Sequence, residues 1–422
     1  MENELFWKEL TTGIYPWDIH DEGIENILDN LQRIVGCNAA YMLSLMHHEK
    51  RPPYENYYPH NPVRKFFLPE DSRAYWNVHP EFYKESRIRP RSSEVDFLRG
   101  TDWLDTFVTA VKKRGMKAGA QITHTPLDVE RGSSEFSDCL QRDIYGNPPP
   151  MKRMTNQQLC WNNPDSVAYL CSLCADLVSS YEIDMIQTST LLFNTGTASE
   201  HSLLGVALGG CFCPGCEKEA KAAGLDWELI RRTVRMFADI MTGATLQASE
   251  ALLLVRRGSA SQSMLLLEYP ELYDWLKFRC DSITKFFRKV TTVIHGIRKD
   301  IDFRFNTIWP NPELAGLDIR RIAPYINSFR ICDYAEQTGD EAKVLAKGSW
   351  IADVRRQAGE NVPIIAALAP RGKATVDLIR KAVKTIALAG VDGLGFGFYD
   401  CATFERLAAI RIGMEEAEVT IR

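Results

Sequence analysis

The chain has 422 residues, 45% of them hydrophobic and 25% charged, with a formal net charge of -5. That composition excludes a disordered or fibrous chain, and its scattered basic residues give no footprint for a nucleic acid. No apolar run approaches the ~18 residues a membrane helix needs and no secretory signal pattern opens the chain, so a soluble, cytoplasmic protein with no membrane partner is expected.

In chain order, short β-rich runs alternate with helical patterns. The first run is TTGIYPW (11–17), and a helix follows with Ile24, Ile27, Leu28, Leu31, Ile34 and Val35 at three-to-four spacing. Next come NAAYMLSLM (38–46), a long insertion, a helix over Leu104–Val111 and the strand KAGAQITHT (117–125). A second insertion ends at a helix opened by Pro164, a favoured first-turn residue. IDMIQTST (183–190) is the fourth strand, and helical stretches at 226–256 and 271–298 follow a cysteine-rich loop. The last four strands are DFRFNTIW (302–309), NSFRICDY (327–334), VPIIAALA (362–369) and DGLGFGFYD (392–400). The glycines of the last run lie inside a strand, which indicates close packing rather than a phosphate loop.

Eight strands alternating with helices predict an α/β fold, a (β/α)8 TIM barrel. One domain is expected over residues 1–422, with insertions at about 47–100, 124–160 and 191–225 on the C-terminal face of the barrel. An open doubly wound sheet is the alternative.

Eleven cysteines are too few and too scattered for a disulfide framework in a chain this long. Cys211, Cys213 and Cys216 sit within six residues, around Pro214 and Gly215. A tight turn of this kind brings three thiolates toward one tetrahedral ion, and Cys160, in another insertion, is the best candidate for the fourth ligand. Four thiolates fill the shell of Zn2+, so the metal would be structural, stapling the insertion after strand four to the one after strand three. Cys171 and Cys174 also spell C-x-x-C, but their spacing puts them on an apolar helix face.

These residues resemble the catalytic barrel of family 42 β-galactosidases and related glycoside hydrolases of clan A type. In that family a cysteine ahead of the helix before strand four joins a later C-x-C-x-x-C to bind zinc, which corresponds to Cys160 with Cys211, Cys213 and Cys216. YDWLKFRCDSITKFFRKV (273–290), FRFNTIW (303–309) and ALAGVDGLGFGFYD (387–400) are similar to further segments of it. The resemblance implies a carbohydrate-active enzyme acting on a sugar or glycoside. It also implies an acid/base Glu after strand four and a nucleophilic Glu after strand seven. Here strand four reads IQTSTLLF and strand seven IIAALAPRG, so neither role transfers.

Other groups at predicted strand ends are the candidates. Asp18, Asp333 and Asp400 follow strands one, six and eight, where barrel enzymes place catalytic groups, and Asp333 is the first choice. Asp333 and Asp400 at ~6.5–9.5 Å would suit inversion. His124 could carry a proton or donate to a sugar hydroxyl. Trp17, Trp309 and Tyr399 offer flat faces to pyranose rings, as do Trp76, Tyr83 and Trp161 in the insertions. His47, Asn194, Asn306, Glu336 and Arg371 complete the expected substrate-binding set, and a guanidinium there would suit an acidic sugar. Three readings stay open: a glycoside hydrolase with non-standard Asp residues, a sugar lyase or isomerase using His124 and an Asp, and a catalytically inactive carbohydrate-binding relative. The helical surfaces permit a homo-oligomer.

Overall fold

The computed structural model describes residues 5–46, 57–69, 73–122, 126–128, 134–149, 156–188, 193, 207–242, 262–308 and 311–422. Eight parallel strands form one closed sheet. They are β1 (Glu9–Ile14), β2 (Ala39–Met46), β3 (Lys117–Ile122), β4 (Met185–Thr188), β5 (Asp302–Ile308), β6 (Ser328–Ile331), β7 (Ile364–Leu368) and β8 (Gly393–Phe396). Each pairs with its sequence neighbour, and β8 closes on β1 through Gly393–Glu9 to Phe396–Thr12. This is the predicted (β/α)8 barrel, and the open-sheet alternative is excluded by that closure.

The helices form where pattern and caps agree. In α4 (Pro164–Ser180), Asn163 accepts hydrogen bonds from the Asp165 and Ser166 N–H groups, and Pro164 occupies the first position, where no donor is needed. Its apolar stripe packs against α7 (Glu271–Ile297), which buries Leu272, Trp275, Phe278, Ile283, Phe286, Phe287, Val290 and Ile294. Cys174 is buried in α4 and Cys171 half-buried, as their helical spacing requires. Asp340, Thr375 and Thr403 cap α8 (Glu341–Ala358), α9 (Val376–Leu388) and α10 (Phe404–Glu416) through their side chains. No helix among the described residues is long and apolar enough to cross a membrane.

The predicted strand ends need correction. β1 stops at Ile14 because Pro16 starts a helix, α1 (Pro16–Glu22), and so Trp17 and Asp18 are helical. β6 ends at Ile331 and β8 at Phe396, leaving Asp333 in a loop and Asp400 in a 3-10 turn over Tyr399–Cys401. Of the helix expected at 226–256, Trp227–Thr242 is helical and the remainder lies outside the described residues.

The lumen is polar. Arg304 of β5 meets Glu9 of β1 in a two-pronged ion pair at 2.6 and 2.7 Å. Strands one and five stand opposite each other in an eight-stranded barrel, so this contact crosses the lumen. Asp302 and Ser328 complete the cluster at the N-terminal end. Above it, Gln187 donates to Gln121 at 2.6 Å, and Arg330 of β6 reaches toward the ring of Tyr41 on β2. Gly393 and Gly395 make this crowding tolerable. A Cβ at Gly393 would lie 2.5 Å from the Glu9 carbonyl oxygen, and one at Gly395 3.0 Å from Arg330 Nε. The glycine-rich last strand is thus a packing device, as its position in the sequence indicates.

Candidate functional site

β1 and β8 are neighbours, and the turns that leave them bring two carboxyl groups together over the C-terminal end of the barrel. The Tyr15-Pro16-Trp17-Asp18 run turns the chain into α1 at once. Asp18 Oδ2 accepts the Tyr15 N–H at 2.9 Å, which closes the first helical turn. Its second oxygen, Oδ1, has no hydrogen-bond partner among the described residues, and the neighbouring carboxyl that acts on Asp18 is that of Asp400. Asp400 has the same asymmetry: Oδ1 accepts from the Cys401 thiol at 3.3 Å and Oδ2 has no N–H donor. Both residues are 1% exposed.

Two like charges cannot both be held in a buried contact of this kind. Burial raises both carboxyls above the ordinary 3.8, and the neighbouring Asp400 charge raises Asp18 further. Burial and the close like charge therefore both favour keeping a proton on the pair.

Around the pair stand Tyr15, Trp17, Tyr58, Phe67 and Phe398. Trp17 stacks on Tyr15 with centroids 4.3 Å apart and meets Phe67 at 4.9 Å. Tyr58 and Phe67 come from the insertion after β2. That insertion is pinned to α1 by Arg64, which grips Asp21, and by Asn61, which donates to Asp21 at 3.1 Å. A second latch holds residues 76–83 of the same insertion to α4. There Asp176 accepts from Trp76 Nε1 at 3.0 Å, His79 Nδ1 at 2.7 Å and Tyr83 Oη at 3.1 Å.

Arg371, in the loop after β7, sits beside Asp400 and lowers its pKa by its charge, against the larger effect of burial. Arg371 Nε donates to Gln337 at 3.3 Å, and Nη1 is buried without a partner. Asn306 lies deeper, at the end of β5. It accepts from Arg330 Nη1 at 2.8 Å and from the Cys332 thiol at 3.0 Å.

Several expected site residues have other occupations. Asp333 accepts the Ala335 N–H at 2.9 Å and so shapes the turn after β6, while the carboxyl that Asp400 meets is Asp18. Glu336 is fully buried, ion-paired to Lys347 and bonded to the Ala369 N–H at 3.2 Å. Tyr399 is 0% exposed, its hydroxyl held by Glu22 at 2.7 Å and by Asn30 at 2.9 Å, so its ring is packing rather than a sugar platform. The same holds for Trp17, Trp76, Tyr83 and Trp161, all buried. His47, His124, Asn194 and Trp309 lie outside the described residues. Arg330 and Tyr58 were not anticipated. The charge of Arg330 in an otherwise apolar strand was the available signal, whereas nothing in the sequence singles out Tyr58.

The four cysteines do converge. Cys160, Cys211, Cys213 and Cys216 are buried, and their Sγ atoms all lie within 4.8 Å of one another. Sγ of Cys160 is 3.4 Å from that of Cys213 and 3.4 Å from that of Cys216. Tetrahedral ligands at ~2.3 Å give sulfur–sulfur edges of ~3.8 Å, so the cluster has the size of a thiolate metal site. Nitrogen donors point at the sulfurs as a thiolate charge requires: the Arg142 N–H to Cys211 at 3.3 Å, and the Asn162 N–H and side-chain amide to Cys160 and Cys216 at 3.4 Å each. Gly215 is needed because a Cβ there would meet the Asn162 carbonyl oxygen at 2.9 Å. The cluster joins residues 156–163, after β3, to residues 211–216, after β4, as the sequence predicts.

No family model and no curated protein sequence matches the chain. Solved structures do. The PgaB (BpsB) glycoside hydrolase domain from Bordetella bronchiseptica superposes with a TM-score of 0.60 at 10% identity, over 97% of this chain and 99% of that one. α-L-Fucosidase isoenzyme 2 from Paenibacillus thiaminolyticus gives 0.54 at 12% identity, over 97% of this chain and 49% of that one. The β-galactosidase from the psychrophilic Marinomonas ef1 gives 0.53 at 10% identity, over 96% and 59%. The fold is therefore one shared with glycoside hydrolases, and at these identities the likeness is a likeness of fold.

Proposed function

We propose that the chain is a carbohydrate-active enzyme, a glycoside hydrolase whose acid/base chemistry belongs to Asp18 and Asp400. The observation that carries the reading is the buried carboxyl pair at the C-terminal end of a barrel whose structural neighbours are glycoside hydrolases. Hydrolysis of a glycosidic bond needs a proton for the leaving oxygen and a base for the attacking water. A raised carboxyl pair holding one proton supplies a donor at neutral pH and an ionised oxygen beside it. Carboxyls in hydrogen-bond contact are closer than the ~5–5.5 Å of double displacement. The reading is accordingly acid/base catalysis from a shared proton, with no covalent intermediate assigned.

The mouth would be walled by the insertions at 47–100, 124–160 and 191–225 of one barrel domain, with Arg371 binding a polar substituent. The metal suited to the cysteine cluster is Zn2+, and with four sulfur ligands it would keep no open position. Its part is to hold the insertions after β3 and β4 together.

A closely spaced acid pair also suits a sugar lyase or isomerase, which moves protons without water as nucleophile, and His124 is the partner such a reading would use. An assay on a panel of aryl glycosides and uronides separates the two. Hydrolysis by the wild type, reduced ~10²-fold or more in both Asp18→Asn and Asp400→Asn, is the expected result. Hydrolysis that survives both substitutions removes the pair from the mechanism.

A further inference from the structure

Two arginines, Arg330 on β6 and Arg371 in the loop after β7 beside Asp400, are deeply buried. Arg330 is 2% exposed and donates to the Asn306 carbonyl at 2.8 Å, the Cys332 sulfur at 2.9 Å, the Tyr334 hydroxyl at 3.3 Å and the Gly395 carbonyl at 3.4 Å. Arg371 is 6% exposed, and its Nη1 is buried with no acceptor among the described residues. Both touch Tyr334, Arg330 through the hydroxyl and Arg371 from 5.7 Å over the ring, so the two cations flank one side chain. Of the nearby acids, Asp400 lies beside Arg371 and Glu336 is ion-paired to Lys347. The acidic surplus of Glu9 and Asp302 over Arg304 lies at the opposite, N-terminal end of the barrel. A buried N–H donor left unfilled is costly, and it is a place for an acceptor.

We infer that this site takes a sugar bearing a carboxylate, a uronic acid or uronide, with Arg371 Nη1 donating to the acid group. The inference rests on the reading that the barrel mouth holds a carbohydrate, and it deepens that reading by naming the substrate class. A guanidinium matches a planar carboxylate in geometry as well as charge. Arg330 contributes as a deeper charge of the same sign.

The test is calorimetric titration of the full chain with D-glucuronate and D-galacturonate, with D-glucose and D-galactose as neutral counterparts and inorganic sulfate as a bare anion. Wild type, Arg371→Gln and Arg371→Lys are compared after circular dichroism has shown that they fold. The expected result is uronate binding at least tenfold tighter than that of the neutral sugar, with that preference lost in Arg371→Gln and partly kept in Arg371→Lys. Equal binding of uronate and neutral sugar, no uronate binding, or unaltered discrimination in Arg371→Gln overturns the inference. Sulfate binding as tight as that of uronate does so too, because the site then reads charge and no sugar. Turnover is scored separately on neutral and acidic aryl glycosides. Arg371-dependent uronate binding without any hydrolysis leaves this inference standing and removes the hydrolase reading. Hydrolysis of neutral glycosides without preference for uronides does the reverse.

Discussion

At the scale of single residues the carboxyl pair sets the behaviour. Burial gives Asp18 and Asp400 folded-state pKa values above their unfolded ones. A raised acid binds its proton more tightly in the folded chain, so its contribution favours folding at low pH and is lost as pH rises through the folded value. The linked part of the stability should therefore fall from about pH 4 upward, where unfolded aspartates ionise. Urea denaturation at pH 5 and pH 7.5 should show wild type losing more stability over this interval than Asp18→Asn or Asp400→Asn. An equal loss in all three proteins would show that the pair ionises freely. Asp333, by contrast, holds a single turn N–H, and Asp333→Asn should leave turnover within about twofold of wild type.

At the scale of elements, the insertion after β2 is held by few but concentrated bonds. Asp176 collects the indole of Trp76, the ring of His79 and the hydroxyl of Tyr83, and truncating it strands all three donors. Asp176→Ala should cost about 3 kcal/mol in urea denaturation, the scale of breaking a buried charged network. It should also raise the proteolytic susceptibility of residues 73–100 before the rest of the barrel. A different limit applies in β8. There Gly393→Ala brings a methyl against the backbone oxygen of Glu9, which cannot rotate away, and a loss of ~1–3 kcal/mol is expected.

At the scale of the whole molecule, the cysteine cluster ties two insertions that are far apart in sequence. Elemental analysis should find one zinc per chain, released by a strong chelator or by Cys213→Ser. Because four sulfurs leave no position for substrate, removal should lower the melting temperature and loosen residues 156–163 and 211–216, with Asp18 and Asp400 undisturbed. A first-order loss of the chemical step on metal removal, with melting unchanged, would contradict a purely structural ion.

The alternation of eight β-rich runs with helical stripes determined the barrel, because period and punctuation are local properties that each segment carries alone. The cysteine spacing determined the cluster for a similar reason: three of its four ligands lie within one six-residue loop. The glycines of the last strand were legible as packing from their place inside an apolar run. Tertiary structure alone decided which acids meet. Asp18 and Asp400 are separated by nearly the whole chain, and they touch because β8 closes on β1 and because Pro16 starts a helix one residue after Tyr15. Asp333 looks the same as either in sequence but spends its carboxylate on its own turn. Strand-end aromatics such as Tyr399 were equally ambiguous, since a ring that could stack on a sugar can as readily fill a core, and only the packing of Glu22, Asn30 and His60 around it decides between the two. The unfilled Nη1 of Arg371 is likewise a property of the assembled barrel, where burial removes the water that would otherwise satisfy an arginine.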